Sequence, residues 1–195
     1  MVLDAMKKFV SKADNKTYVK IYSGDCYATK EPEEVMVTIL GSCIAACIRD
    51  PQLNIGGMNH FLLPATDGEV TSYTMSRYGS FAMEQLINSI IKMGGVKSRL
   101  EVKLFGGANV SATSALIGSK NVEFIKKFCK EENLNVVAEH LGGTQARKVQ
   151  FCPGNGVAMM KLVTSVEQEN VVQEEMVYSK KVVVQEDKGG SVDLF

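Results

Sequence analysis

Cys43 and His60 are the residues whose types and spacing could do chemistry. Cys43 directly follows Gly41-Ser42, and His60, one of only two histidines in the chain, comes 17 residues later. A cysteine reacts as its thiolate, which is only a few per cent of a free thiol at neutral pH. Because an imidazole within hydrogen-bond reach can take the thiol proton, the pair is a candidate nucleophile and base.

A β-hairpin is expected to position this pair. Two apolar runs, 44–49 and 57–63, flank turn-forming residues and predict two antiparallel strands. With a turn centred near Gln52, facing residues have numbers that sum to about 104. Cys43 then lies one position from facing His60, and a slip of one residue puts their Cβ atoms roughly 4.5–5.5 Å apart. The sequence does not decide between these registers.

The other elements predict an α+β fold, because strands outnumber helices and come in runs rather than in βαβ alternation. Apolar residues at three-to-four spacing predict helices over 73–93 and 121–132. Asn121 is the expected N-cap of the second helix, and Gly94-Gly95 is expected to end the first. Further strands are predicted over residues 18–22, 26–29, 35–40, 100–104, 135–139, 148–151 and 157–163.

The two ends of the chain are interpreted as extensions. Residues 1–16 predict a short amphipathic helix. Residues 165–195 contain seven acidic and three basic residues and predict a solvated acidic tail. Within it, 182–184 predicts an edge strand, and Gly-Gly-Ser at 189–191 predicts a hinge. The apolar pair in 192–195 then predicts a docking peptide for a partner protein, since it lies beyond a flexible segment.

Composition and charge exclude several classes of function. The chain has 195 residues, is 45% hydrophobic and has zero net charge, which suits one globular domain and argues against nucleic-acid binding. No apolar run approaches the ~18 residues of a membrane span, and the N-terminus does not resemble a signal peptide, so a cytoplasmic location is expected. Five cysteines without zinc-like spacing predict neither a disulfide framework nor a structural metal.

Several separated motifs are spread over roughly residues 17–164. They are Leu40-Gly41-Ser42-Cys43, Gly56-Gly57-Met58-Asn59-His60-Phe61, Arg77-Tyr78-Gly79, 103–109, Asn121-Val122, 138–144 and Arg147-Lys148-Val149. In this order, these motifs resemble the CheD family of chemoreceptor glutamine deamidases of bacterial chemotaxis. The resemblance implies a three-layer α/β/β sandwich similar to the catalytic domains of deamidating cytotoxic necrotizing toxins.

The resemblance implies protein-glutamine deamidation, which is acyl transfer from a carboxamide to water. Cys43 is then the nucleophile, whose sulfur forms a thioester with the substrate acyl group, and His60 is the base that activates water to hydrolyse it. Backbone N–H groups around Gly41 and Ser42, together with that of Cys43, are the expected oxyanion donors. No metal or organic cofactor is implied.

Other polar residues receive narrower predictions. The family uses a threonine shortly before the cysteine to orient the histidine, and Thr38 is the residue that matches. Asn59 or a backbone carbonyl is the alternative for that role. Cys47 is expected in the core, His140 is expected to be structural, and residues 106–109 predict a tight turn near the site.

Partners also follow from the resemblance. It implies that the protein acts on the cytoplasmic helices of chemoreceptors and binds a CheC-type phosphatase of phosphorylated CheY, as a monomer. The alternative is an adaptor or binding module that docks receptors or a CheC-type phosphatase, with little catalysis. A general thiol hydrolase or protease using the same pair is a third hypothesis, and it predicts peptide-bond cleavage.

Overall fold

The structure is a computed structural model, and it describes residues 8–63, 72–110 and 115–186. Over these residues the chain combines runs of β-strands with separate helices, which confirms the predicted α+β class. The strands are β1 (Lys8–Val10), β2 (Thr17–Lys20), β3 (Cys26–Thr29), β4 (Glu34–Leu40), β5 (Ile44–Asp50), β6 (Ile55–Phe61), β7 (Glu101–Gly106), β8 (Asn135–Leu141), β9 (Arg147–Cys152) and β10 (Val157–Leu162). The helices are α1 (Ser72–Lys92), α2 (Ala115–Glu131) and α3 (Ser165–Glu186).

The strands form two five-stranded sheets that pack face to face. The first sheet has the order β1-β2-β4-β9-β10, and the second has the order β3-β6-β5-β7-β8. Helices α1 and α2 cover one face of the second sheet around Leu86, Leu104 and Ile125. Its other face packs against the first sheet around Met58 and Phe151. The central strands β5 and β6 are therefore buried on both faces, which explains why β5 is apolar from Ile44 to Ile48.

The predicted hairpin forms between β5 and β6, in a register one residue away from the one centred on Gln52. Ala45 faces His60. The four-residue turn ends at Asn54, whose φ of 54° is a left-handed conformation that asparagine tolerates better than most residues. Since side chains alternate along a strand, Cys43 lies on the same face as Ala45 and is a diagonal neighbour of His60.

The predicted helix over 73–93 is confirmed as α1, and Gly94 follows it with a φ of 103°. The second helix begins at Ala115, so the prediction that Asn121 is its N-cap was wrong. Asn121 lies inside α2 with no exposed surface, and its amide bonds two distant backbone groups: Nδ2 donates to the Ser42 carbonyl, and Oδ1 accepts from the Leu63 N–H. These tertiary bonds outweigh the usual preference of asparagine for a helix end.

The N-terminal helix prediction was also wrong where the structure describes it. Lys8–Val10 is strand β1, which pairs with β2. Phe9 stacks on Tyr18 with ring centroids 5.5 Å apart, and Lys8 Nζ lies 2.6 Å from Glu34 Oε1. Cross-strand pairing thus decides the conformation of this short segment. Residues 1–7 lie outside the described residues.

The C-terminal segment differs most from expectation. Residues 182–184, predicted as an edge strand, belong to α3. The predicted solvated tail is instead attached to the body, because Val171 and Glu175 of α3 are buried and Tyr178 is half-buried. The predicted hinge at 189–191 and docking peptide at 192–195 lie outside the described residues. No helix in the described part of the chain is long and apolar enough to cross a membrane.

Asp50 closes the end of the hairpin that positions the candidate site. It has no exposed surface, and its carboxylate accepts from the N–H groups of Gln52 and Val96 and from Arg99, whose Nη2 lies 2.5 Å away. Burial alone would raise the pKa of the Asp50 carboxyl. The hydrogen bonds together have a larger effect in the opposite direction, so this pKa lies below its ordinary value. A depressed carboxyl pKa stabilises the folded state above the ordinary pKa.

We expect Asp50→Ala to lower the free energy of unfolding by about 2–4 kcal/mol, because it leaves a partly buried guanidinium and two N–H groups without their acceptor. Urea unfolding at pH 7 measures the loss. The stabilisation from Asp50 should be complete above about pH 4 and should fall as the pH drops through the lower folded pKa. Asp50→Asn, the near-isosteric control, should lose this acid dependence. An equal acid dependence in both proteins would contradict the assignment.

Candidate active site

The segment Gly41–Cys43 crosses from β4 of the first sheet to β5 of the second. Its three carbonyl groups all accept hydrogen bonds from the body of the protein. Gly107 N–H donates to the Cys43 oxygen at 2.7 Å, and Ala108 N–H donates to the Gly41 oxygen at 2.8 Å. Asn121 Nδ2 donates to the Ser42 oxygen at 2.8 Å. Because the body of the protein binds all three carbonyl groups, the three N–H groups of the segment remain to bind another acceptor.

These N–H groups converge on the carboxylate of Glu175 from α3. Gly41 N lies 2.9 Å and Cys43 N lies 3.1 Å from Glu175 Oε1. Ser42 N lies 2.9 Å and Ser42 Oγ lies 2.6 Å from Oε2. Neighbouring backbone N–H groups that meet in this way form a pocket for an anionic oxygen. The residues predicted as oxyanion donors therefore do form a cluster of donors next to Cys43.

His60 connects the two sheets. Its Nδ1 lies 2.8 Å from Thr38 Oγ1, and Thr38 Oγ1 in turn donates to the Ile21 carbonyl at 2.7 Å. A threonine hydroxyl has one hydrogen, so an oxygen that donates to Ile21 can only accept from the ring. His60 therefore carries its proton on Nδ1, and its Nε2 is the unprotonated nitrogen.

Ser23 lies between this nitrogen and the thiol. Its Oγ is 3.1 Å from His60 Nε2 and 3.8 Å from Cys43 Sγ. Because Nε2 is unprotonated, the Ser23 hydroxyl donates to it and can accept from the thiol. The turn that holds Ser23 is fixed to β6 by two backbone hydrogen bonds. Gly24 N–H donates to the His60 carbonyl, and His60 N–H donates to the Asp25 carbonyl. A proton can therefore pass from Cys43 to His60 through Ser23.

Burial keeps both reactive groups neutral in this arrangement. Desolvation raises the pKa of Cys43 well above its ordinary value, and the nearby Glu175 charge raises it further. Desolvation lowers the pKa of His60 to about 4, although Glu175 opposes that shift. The site as folded here thus holds a thiol and a neutral imidazole rather than a thiolate–imidazolium pair.

The same groups also have the spacing of a metal site, but their surroundings suit an anion. Sγ of Cys43, a ring nitrogen of His60 and a carboxylate oxygen of Glu175 all lie within 4.8 Å of one another. Both oxygens of Glu175 already accept hydrogen bonds from the Gly41–Cys43 segment. Since these N–H dipoles direct their positive ends at this point, they disfavour a cation there.

A cavity of about 440 Å³ reaches the site from the side of the first sheet. His60, Ser23 and Glu175 line its inner end, and Lys20 and Lys148 line it farther out. This volume is large enough for several water molecules beside the imidazole. The geometry therefore brings together a thiol, an imidazole, a cluster of N–H donors and a cavity that water can enter.

Comparison with known proteins shows which family this chain is similar to. Residues 62–162 match the family model described as CheD chemotactic sensory transduction. A protein of Rhodopseudomonas palustris named "Probable chemoreceptor glutamine deamidase CheD" is 43% identical over 98% of this chain and 91% of its own length. Proteins with the same name from Saccharophagus degradans and Vibrio cholerae are 45% and 40% identical, over 92% and 90% of this chain and 85% and 78% of their own lengths.

The chain belongs to the CheD family. The segment matched by the CheD model begins after Cys43 and His60, whereas the match to the relative from R. palustris spans 194 residues. The structure brings together five residues that the resemblance to CheD singled out, and it separates one from them. Those brought together are Thr38, Gly41, Ser42, Cys43 and His60.

Asn59 is the residue that lies apart. Its Oδ1 accepts from Ala46 N–H, and its Nδ2 donates to the Ala82 carbonyl of α1. It therefore faces the helices, on the opposite side of β6 from His60, and ties the sheet to α1. Cys47 is buried between the sheets, as expected for a core residue.

His140 and the turn at 106–109 also lie where the sequence predicted a structural role. Arg147 Nη1 donates to both Nδ1 and the carbonyl oxygen of His140, at 2.7 and 2.6 Å. Gly142 N–H donates to the Gly106 carbonyl, and Asn109 N–H donates to that of Gly143. Arg147 thus holds the loop that in turn supports the Gly41–Cys43 segment.

Sequence reasoning missed two residues of this CheD site. Ser23 gave no signal beyond that of a turn residue, because its role depends on a contact 37 positions along the chain. Glu175 lay in a segment interpreted as solvated. A glutamate at helical spacing between Val171 and Tyr178, residues of a buried face, is the pattern that could have indicated it.

The two histidines should carry opposite tautomers. We expect ¹⁵N–¹H correlation spectra at pH 7 to show His60 protonated on Nδ1, because Thr38 accepts there, and neutral His140 protonated on Nε2, because its Nδ1 accepts from Arg147. His60 should stay neutral when the pH is lowered to about 5, where an ordinary histidine is almost fully protonated. Protonation of His60 with a pKa near 6.5, or a proton on its Nε2, would contradict this geometry.

Proposed function

We propose that the protein is a protein-glutamine deamidase that acts on chemoreceptors and converts glutamine to glutamate with release of ammonia. The observation that carries the proposal is the convergence of three backbone N–H groups and the Ser42 hydroxyl on one carboxylate beside Cys43. That carboxylate is a glutamate side chain, the group that glutamine deamidation produces. The names of the relatives support the same substrate class.

The proposed reaction begins with transfer of the Cys43 proton to His60 Nε2, directly or through Ser23. The thiolate attacks the side-chain carbonyl carbon of a substrate glutamine, and the resulting oxyanion takes the place of a Glu175 oxygen among the N–H donors. One such donor is typically worth about 3–4 kcal/mol of barrier. His60 returns the proton to the leaving nitrogen, the C–N bond breaks, and ammonia leaves a thioester on Cys43.

Hydrolysis completes the proposed cycle. A water molecule reaches the thioester through the cavity beside His60. His60 removes one proton from that water as its oxygen attacks the thioester carbon, and it gives this proton to the Cys43 sulfur as the C–S bond breaks. The products are the thiol and a carboxylic acid, which ionises to glutamate. Thr38 keeps Nδ1 protonated throughout, so that Nε2 remains the nitrogen that exchanges protons.

The finer parts of the proposal follow from the family resemblance. Residues 17–164 would carry the chemistry, on a fold like that of the deamidating cytotoxic necrotizing toxins. The chain would act in the cytoplasm as a monomer, on the helical cytoplasmic part of receptors, and would bind a CheC-type phosphatase. The helix α3 already seated at the site supports a helical substrate, because it shows that the entrance accommodates a helix.

Peptide mass spectrometry of a chemoreceptor cytoplasmic fragment tests the proposal. We expect a gain of about one dalton at specific glutamines, which falls by at least about a thousandfold in rate with Cys43→Ala or His60→Ala. Thr38→Val should lower kcat about a hundredfold because the imidazole loses its alignment, while Thr38→Ser should retain most activity.

Two outcomes would contradict the proposal. Binding of several receptor fragments without any mass gain would favour an adaptor. Cleavage of the backbone instead of the side-chain amide would mean that the site is a thiol protease. Cys47→Ala, which removes a core thiol from the strand that follows Cys43, is the control for nonspecific loss of stability.

A further inference from the structure

Helix α3 places the side chain of Glu175 where the proposed reaction forms its product. The residue is 6% exposed and lies 132 positions after Cys43 in the chain. Its four contacts with the Gly41–Cys43 segment occupy the three backbone N–H groups that are the proposed oxyanion donors, together with the Ser42 hydroxyl. A substrate carboxamide and this carboxylate therefore cannot occupy the site together.

We propose that α3 is an autoinhibitory helix that holds Glu175 in the site as a tethered mimic of the glutamate product. A substrate glutamine reaches Cys43 only after α3 has left. This inference rests on the proposed function, since it takes the donor cluster to be the oxyanion site.

One face of α3 is matched to the surface around the site. Gln168, Val171, Glu175 and Tyr178 follow one another at spacings of three or four residues, so they share this face. On the N-terminal side of Glu175, Val171 packs in a small cluster with Ala146 and Val163. These contacts, together with those of Gln168 and Tyr178, fix the depth at which the carboxylate enters the site.

Polar contacts hold α3 on both sides of Glu175. Gln168 Oε1 accepts from Ala146 N–H at 3.0 Å. Tyr178 Oη lies 2.5 Å from Tyr78 Oη of α1, and the same phenol lies against Gly24, where a Cβ would come within 2.4 Å of its oxygen. Tyr178 therefore seats the helix against the turn that carries Ser23.

Over residues 165–178 of α3, whose side chains the structure describes, the attachment buries little apolar surface, which suits a helix that leaves. Val171 is the only large apolar side chain of α3 that is buried among the residues whose side chains the structure describes. Val166 and Val177 are 71% and 56% exposed. Elements with few buried apolar contacts open at low free-energy cost. The helix has its own N-terminal cap, because Thr164 N–H donates to Glu167 Oε2 at 3.0 Å, so it can stay helical when detached.

The docked carboxylate of Glu175 also lowers the reactivity of the Cys43 thiol. Burial and the negative charge of Glu175 both raise the pKa of Cys43. Removing α3 would admit water and remove that charge, and each change favours the thiolate. Release of the helix would thus free the donor cluster and activate the thiol in one step.

Alkylation of Cys43 by iodoacetamide in the full-length protein tests the proposal without any receptor. Peptide mass spectrometry should show Cys43 of Glu175→Ala reacting about tenfold faster or more than that of the unchanged chain, since the fraction with an open site rises. Glu169→Ala, which removes an exposed glutamate from the same helix, should leave the rate unchanged. Val171→Asp should detach the helix by a change that does not touch the N–H donors, and it should raise the alkylation rate as Glu175→Ala does.

The other cysteines separate helix release from unfolding. Cys47 and Cys129 are buried in the two cores and should stay protected in all variants. If they react in parallel with Cys43, α3 holds the body together rather than covering the site, and the proposal is overturned. An unchanged Cys43 rate in both Glu175→Ala and Val171→Asp overturns it as well.

Deamidation of a receptor fragment by the same variants separates this inference from the proposed function. A tethered competitor predicts that Glu175→Ala lowers KM and leaves kcat unchanged. Faster Cys43 alkylation with no deamidation by any variant would keep α3 as a cover of the thiol and would reject the deamidase. Deamidation with unchanged KM and unchanged alkylation would keep the deamidase and reject the autoinhibitory helix.

Discussion

The site depends on how the backbone of three residues, Gly41 to Cys43, is hydrogen-bonded. Each of their carbonyl oxygens is bound by the scaffold: by Gly107, by Ala108 and by the side chain of Asn121. Because a peptide plane is rigid, fixing the carbonyls of Gly41 and Ser42 also fixes the N–H groups of Ser42 and Cys43 in the same planes. The donor cluster is therefore preorganised by the fold, and a reacting oxyanion would not have to reorganise it.

The proposed base, His60, is positioned in a different way, by a contact between the two sheets. His60 belongs to the second sheet, and Thr38, which orients it, belongs to the first. Burying His60 and Thr38 between two sheets costs desolvation, which their hydrogen bonds to each other, to Ser23 and to the Ile21 carbonyl offset. The proposed nucleophile, the proposed base and the threonine bound to that base thus come from three different strands or strand ends. Their alignment requires that both sheets are packed correctly.

The sequence predicted what depends on local pattern. Periodicity was sufficient for α1, and turn residues between apolar runs were sufficient for the hairpin of β5 and β6. The exact register was one residue off, because it depends on the left-handed Asn54 as well as on composition. Asn121 and Glu175 were misassigned for a shared reason. From sequence alone, a polar residue on a helix is interpreted as a cap or a solvated side chain. Its actual role here depends on distant backbone groups, which the sequence does not identify.

The most direct test of the whole account uses the chain as its own substrate. In Glu175→Gln, α3 would present a carboxamide to Cys43 in place of the product carboxylate. The account predicts that the purified full-length variant gains about one dalton at position 175 as the amide is hydrolysed. It also predicts that adding Cys43→Ala abolishes the gain. An amide that persists at position 175, in a chain that still deamidates a receptor fragment, would contradict the placement of this side chain as a product mimic.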